Sequence, residues 1–319
     1  MESMIGKIKD LLSAATRRNP AEGLLFSGGL DSGLLAFLCP GIKAITVTFD
    51  SFGDDLNYAR SLASFLGIRP HYRRIEVEEA IAAVSPVVRA LESFDPAIPN
   101  DITVYFGLKT ARELGLKTVM TGDGSDELFA GYQYMQGIKD LNGYLKRMSS
   151  TMSFTTQRIA RIFGIEIKQP FLDREVVDFC RERIPVEQKL KNEKGKFIGK
   201  WILRKAFEKD LPADFIWQGK RPLEYGSGTT KLREIISARI SPDEFRDKSQ
   251  SYPVKFISRD HLFYYERYRE EIGDVQPAEG GQKACPACGA GMDKKSSHCR
   301  ICGNTEPWEN IGTEQSANV

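Results

Sequence analysis

Six consecutive residues, Ser27-Gly28-Gly29-Leu30-Asp31-Ser32, carry the densest chemistry in the chain. They follow a short apolar run, Leu24-Leu25-Phe26, and open a helix-like stretch from Gly33 to Cys39, so the sequence places them where a strand passes into a helix. Two glycines let backbone approach a ligand closely, and the first N–H groups of a helix are left unsatisfied, which together cradle a phosphate. The Ser27 and Ser32 hydroxyls add donors. Asp31 would repel a bare phosphate, so its presence calls for a bridging Mg²⁺. No GxxxxGK[ST] occurs, which excludes a Walker-type loop.

Two further groups could do chemistry. Residues 121–132 read Thr121-Gly122-Asp123-Gly124-Ser125-Asp126-Glu127-Leu128-Phe129-Ala130-Gly131-Tyr132, with three acids in five positions. Asp126 and Glu127 could cap the helix beginning near Ser125 or take part in the same cation chemistry as Asp31. Near the C-terminus, Cys285-Pro286-Ala287-Cys288 and Cys299-Arg300-Ile301-Cys302 form two CxxC knuckles separated by ten residues. Four thiolates fill a tetrahedral ion and leave no open position, the pattern of structural zinc; a rubredoxin-type iron centre uses the same ligands. His298 lies beside Cys299 as a competing ligand.

With Gln169-Pro170-Phe171-Leu172-Asp173 and Trp217-Gln218-Gly219-Lys220-Arg221, these segments stand in an order that resembles the synthetase domain of asparagine synthetase, within the ATP pyrophosphatases. The resemblance covers roughly residues 20–235. It implies ATP cleaved between the α- and β-phosphates, a carboxylate activated as its adenylate, and ammonia attacking that adenylate. It assigns Ser27, Gly28, Gly29, Asp31 and Ser32 to the pyrophosphate, Phe26, Val47, Thr121 and Gly122 to the nucleotide, and Asp31 with Asp126 to Mg²⁺. An acid at Asp123 would assist proton removal, and Lys220 would stabilise the tetrahedral intermediate. Aspartate is the leading acyl substrate.

Three departures stand out. Glu2 stands at the place of the family's nucleophilic cysteine and only about twenty residues precede the first strand, so no glutaminase half is expected here, and ammonia is expected free, from a separate glutaminase subunit, or replaced by another nucleophile. Asp123 stands where the family typically has glutamate. After Lys220, Leu223-Glu224-Tyr225-Gly226-Ser227-Gly228-Thr229 differs from the usual glycine-rich sequence, and Lys168 replaces the commoner arginine.

The elements that must position these groups alternate. Strands are expected near 24–26, 43–49, 71–77 and 117–121, with helices at 33–39, 54–66, 78–92 and 101–114 between them. That pattern predicts an α/β fold, a doubly wound parallel sheet of the adenine nucleotide alpha-hydrolase type, with both glycine loops at strand C-terminal ends. From about residue 136 a helical half follows, with helices near 136–149, 155–163, 173–183, 196–209 and 229–239, and a charged, aromatic stretch at 240–272 read as helix covering the core. Asp173 reads as a helix cap, and Lys200 with Arg204 as a solvated helical face. The expected boundaries are an N-terminal helix at 1–19, the main domain at 20–272, a linker at 273–283, a zinc ribbon at 284–303 and a disordered tail at 304–319.

Composition agrees with a globular enzyme: 319 residues, 41% apolar, 28% charged and a net charge of +2, too small to argue for nucleic acid or membrane on electrostatics alone. No apolar run nears the ~20 residues of a membrane span and no signal core opens the chain, so a cytoplasmic location is expected. Homodimer formation is compatible with this reading. The alternative is an RNA-modifying enzyme of the same superfamily, in which a base carbonyl of tRNA is adenylated for sulfur or nitrogen insertion and the ribbon grips the tRNA.

Overall fold

The computed structural model describes residues 2–49, 55–193, 195–219 and 227–306. At its centre lies a five-stranded parallel sheet: β1 (Gly23–Leu25), β2 (Lys43–Phe49), β3 (His71–Ile75), β4 (Thr118–Met120) and β5 (Glu166–Lys168) in the order β3-β2-β1-β4-β5. The chain winds outward from β1 through β2 to β3, then crosses back to place β4 on the other side of β1. That reversal makes β1/β4 the switch point, where ligands bind in doubly wound sheets.

Alternation along the strands divides the interior into two cores. Ile45, Val47, Phe49 and Val119 face α4 (Val77–Leu91), α5 (Ile98–Glu113) and α8 (Thr155–Phe163). Leu24, Phe26, Ala44 and Met120 face α1 (Glu2–Arg18), α2 (Leu30–Leu38) and α3 (Asp55–Leu66). Burial on both faces explains why β2 reads as a continuous apolar and β-branched run. Gly33 in α2 lies directly under Phe215 and Leu62, where any Cβ would overlap them.

The second half departs from its expected outline in places. The helix expected at 136–149 is a 3₁₀ turn at Gln133–Gly137 followed by α7 (Leu141–Thr151). The stretch expected as one helix from 196 is split: α10 (Val186–Lys189) leads into a hairpin of β6 (Leu190–Glu193) and β7 (Lys196–Gly199), and α11 runs only from Trp201 to Phe207. Gly199 stands at the break and packs against the Ala130 carbonyl, which a Cβ there would overlap. β5 was also absent from the expected strands. Asp173 does cap α9 (Arg174–Glu182), accepting from the Glu175 N–H at 3.1 Å. α12 (Ala213–Ile216), α13 (Thr230–Ala238), α14 (Pro242–Ser251) and α15 (Arg259–Glu271) complete the helical half. The tyrosines of 252–268 fill the core: Tyr264, Tyr265 and Tyr268 are buried.

The cysteine segment carries a short hairpin, β8 (Lys283–Ala284) with β9 (Gly291–Met292). It does not stand apart from the main body. Cys285, Cys288, Cys299, Cys302 and Met292 belong to the same apolar cluster as α4, α5 and α15.

Candidate active site

The loop after β1 folds on itself. The Gly29 N–H donates to Ser27 Oγ at 3.2 Å, the Ser27 N–H to Ser32 Oγ at 3.2 Å, and the two hydroxyls lie 3.1 Å apart. Gly28 holds φ +73°, a left-handed conformation that a side chain would strain. Its carbonyl accepts from Gln218 Nε2 at 3.3 Å, which brings the fourth motif onto the first. Phe26 is part of the floor: its ring is in the core, its N–H donates to Ile45 O at 2.8 Å and its carbonyl accepts from Thr46 Oγ1 at 2.7 Å. Val47 is buried one strand away.

The loop after β4 lies directly against the first. A Cβ on Gly122 would come 2.8 Å from Asp31 Cβ, so glycine is what lets the two loops touch. Ser125 Oγ donates to Asp31 Oδ1 at 2.6 Å. Asp126 and Glu127 both stand in the first turn of α6 (Ser125–Phe129), where acids complement the start of a helix. Asp126 also meets a cation: Lys200 Nζ lies 2.6 Å from Asp31 Oδ2 and 2.8 Å from Asp126 Oδ1. Glu127 is buried and accepts from Tyr132 Oη at 2.5 Å, and burial raises its pKa.

Lys200 is therefore not on a solvated face; its side chain is 6% exposed. It adopts φ +57°, unusual for a residue with a side chain, at the turn from β7 into α11. Burial alone would lower its pKa, but the attraction of Asp126 and Asp31 outweighs that and raises it. Arg204 is also buried, which lowers its pKa, and it donates to Gly199 O at 3.0 Å, to Gln218 O at 3.1 Å and to Ile216 O. It thus ties the Lys200 turn to the segment leading to Lys220. Lys220 itself, with Arg221 and Leu223–Gly226, lies outside the described residues.

Beside this triad is a second pair of carboxyls. Asp123 Oδ2 accepts from Thr121 Oγ1 and Gln169 Nε2, both at 2.8 Å, and Gln169 is held in turn by Gln157 at 2.7 Å. Burial raises the Asp123 pKa against the hydrogen bonds of Thr121, Gln169 and Thr156. Asp101, in the first turn of α5, accepts from Thr155 Oγ1 at 2.6 Å, and burial pushes its pKa up to about 7. Adjacent threonines at the start of α8 therefore serve one carboxyl each. Among the described residues, no cation pairs with either.

At the C-terminus the four sulfurs lie within 4.8 Å of one another, with Cys285–Cys302 at 3.6 Å and Cys288–Cys299 at 3.8 Å. Zinc–sulfur bonds of about 2.3 Å place tetrahedral sulfurs about 3.8 Å apart, so the set fits one ion. His298 is turned away: its Nε2 lies 3.0 Å from Asp95 Oδ2.

Sheet order, loops and site together define an α/β protein of the PP-loop class. The chain belongs to the asparagine synthase family, whose profile matches residues 7–149 and 143–280. It is 29% identical over 308 residues to a probable glutamine-hydrolyzing asparagine synthetase of Dictyostelium discoideum, covering 85% of this chain and 55% of that one. It is 28% identical to glutamine-hydrolyzing asparagine synthetase 1 of Saccharomyces cerevisiae, covering 80% and 54%. The chain thus spans about half the length of these curated relatives. A U34-tRNA thiolase, NcsA of Methanococcus maripaludis with its [4Fe-4S] cluster, aligns over 86% of this chain and 82% of its own, at 12% identity and a TM-score of 0.32.

Proposed function

We propose that this chain is an ATP-dependent ligase that adenylates a small carboxylic acid, releases pyrophosphate, and joins the acyl group to ammonia, with aspartate the leading acid. The observation that carries this reading is the convergence of Asp31 and Asp126, from two separate glycine loops, on one buried cation. Two carboxylates and one ammonium leave a net negative charge at a phosphate-binding loop. That donor set suits Mg²⁺, which favours one or two carboxylates together with substrate phosphates. Asp31 and Asp126 would hold the ion, which when bound neutralises charge on the departing pyrophosphate. The backbone N–H groups of the first loop and the Ser27 and Ser32 hydroxyls bind the pyrophosphate oxygens. Phe26, Val47, Thr121 and Gly122 shape the nucleotide side.

Asp123, its pKa raised by burial, is the group assigned to take a proton from the attacking amine. Its shorter side chain is offset by Thr121 and Gln169, which fix its Oδ2 from two sides. Lys220 is assigned the charge that develops on the tetrahedral intermediate. In the ribbon, Cys285, Cys288, Cys299 and Cys302 hold a structural zinc.

The test is product analysis with ATP, Mg²⁺, ammonium and a panel of carboxylic acids. AMP, pyrophosphate and an amide are expected. ADP as product would overturn the reading, and transfer to a base carbonyl of RNA in place of an acid would replace the acceptor. Ammonium is expected to support turnover where glutamine does not, unless a separate glutaminase subunit is added.

A further inference from the structure

The second knuckle, with His298 before it, touches the segment leading into α5, which carries Asp101, and the segment leading into α8, whose Thr155 and Thr156 hydrogen-bond Asp101 and Asp123. On one side is the turn from α4 to α5. The Phe94 N–H donates to Ile301 O at 2.7 Å and Ser93 Oγ to the same carbonyl at 3.1 Å. His298 binds Asp95 Oδ2 at 3.0 Å, while Asp95 Oδ1 accepts from the Ala97 N–H at 2.8 Å, just before α5 begins. Gly303 packs so closely on Asp95 and Pro96 that a Cβ would come 2.7 Å from each. On the other side, Arg300 donates to the Thr151 carbonyl at 3.4 Å, where α7 ends and the chain turns toward Thr155 and Thr156.

These contacts fall on the two approaches to the carboxyl pair. α5 delivers Asp101 one turn after Ala97, and α8 delivers the threonines four and five residues after Thr151. Glu92, which starts the first approach, holds φ +46°, a strained turn that persists only where its surroundings fix it. Arg158 of α8 reaches it at 3.3 Å. The first knuckle faces elsewhere, with the Lys255 N–H donating to Ala287 O at 2.8 Å.

We infer that the second knuckle is a positioning element of the active site: it clamps the 93–97 and 151–154 segments together and so sets the relation of Asp101 to Asp123. His298 and Arg300 are the positioning residues, acting through Asp95 and the Thr151 carbonyl. The inference goes beyond the ligase reading and depends on it only for the kinetic arm of its test.

The full chain carrying His298→Ala and Arg300→Ala, with its metal content checked by elemental analysis, is compared with wild type by hydrogen exchange. Amides of 93–101 and 151–157 are expected to exchange about 10-fold faster, the scale for two lost hydrogen bonds, while the 26–32 loop is unchanged. Unchanged exchange in both segments, or acceleration spread evenly over the chain, overturns the inference. In the kinetic arm, KM for ammonium rises several-fold with KM for ATP unchanged, and Arg300→Lys restores part of it. Equal effects on both KM values overturn the positioning role. Wild-type protein that makes no AMP with any acid would refute the ligase reading, leaving exchange to decide this inference alone.

Discussion

Replacing Lys200 with Met should expose how the two glycine loops balance their charge. The side chain keeps its length and loses only the ammonium that lies 2.6 Å from Asp31 and 2.8 Å from Asp126. At an effective dielectric of about 20, each contact contributes about 6 kcal/mol of attraction. Desolvation of the ammonium offsets much of that, and removing one partner of a buried pair costs about 3–5 kcal/mol. For a chain of this size, that lowers Tm by roughly 10 °C. The pH dependence is the sharper test. In the wild type, Lys200 has a raised pKa, so its stabilisation is complete below the ordinary lysine value of about 10.4 and is lost only as pH rises through the elevated one. Between pH 5 and 9 Lys200 therefore adds no slope. In the variant, Asp31 and Asp126 lose their shared ammonium and keep only the more distant Arg204, and protonating one relieves the repulsion, so the deficit should shrink as pH falls from 8 to 5. Mg²⁺ should stabilise the variant more than the wild type. Urea unfolding at several pH values, with and without Mg²⁺, measures all three. A loss under about 1 kcal/mol, or a deficit that does not change with pH, refutes the charge balance described here.

Asp101→Asn should stabilise the fold at pH 8 by roughly 1–3 kcal/mol and leave it unchanged at pH 4, because a carboxyl raised to about 7 destabilises the native state only as pH rises above its unfolded value; thermal melts at the two pH values decide. Asp31→Asn and Asp126→Asn should each slow pyrophosphate release by about 10²-fold or more, as expected for loss of charge stabilisation, without loss of secondary structure by circular dichroism. Gly131→Ala should mimic them in part, since its Cβ would overlap Asp126 Oδ1 and Lys200 Cε. Metal analysis should find one zinc per chain, and Cys285→Ser with Cys288→Ser should lose it and also lower the melting temperature of the whole chain, because the sulfurs share the core of α4 and α5.

The glycine loops and the parallel α/β alternation were legible because both rest on local chemistry. β2 announces itself as seven residues rich in β-branched and apolar types, and the two glycine loops each follow a strand. β5 left no such trace: it is three residues, Glu-Ile-Lys, at the edge of the sheet, with one apolar position. The Lys200 error has a different origin. Lys200 and Arg204 stand at helical spacing on a charged-looking stretch, and only tertiary structure shows that Gly199 lets the chain pass under Ala130 and turn Lys200 inward. A lysine directly after glycine at the start of an apolar helix was the available hint. Asp101 escaped notice because an acid in the first turn of a helix is ordinary. The spacing of the cysteines indicated that the four would gather but not where they dock, beside the aromatic cluster of Phe94, His261, Tyr265 and Tyr268.

The long-range ties of α1 bear on the order in which the chain can fold. Lys9 pairs with Asp210 at 2.7 Å and Arg18 with Asp173 at 2.6 Å, and Asp31 waits for Lys200. During synthesis at about 5–20 residues per second, roughly 10–40 s separate the appearance of α1 from that of the residues that cover it. Throughout that interval the buried stripe of Ile8, Leu11, Leu12 and Ala15 has no α11 to pack against. The nascent chain can pair β1 with β2 but holds Asp31 on its glycine loop without Lys200 to balance it. The charge balance of the two glycine loops is therefore completed late, when Lys200 and Arg204 emerge, and the unfinished chain presents a sticky helix that a chaperone or an early partner would have reason to hold.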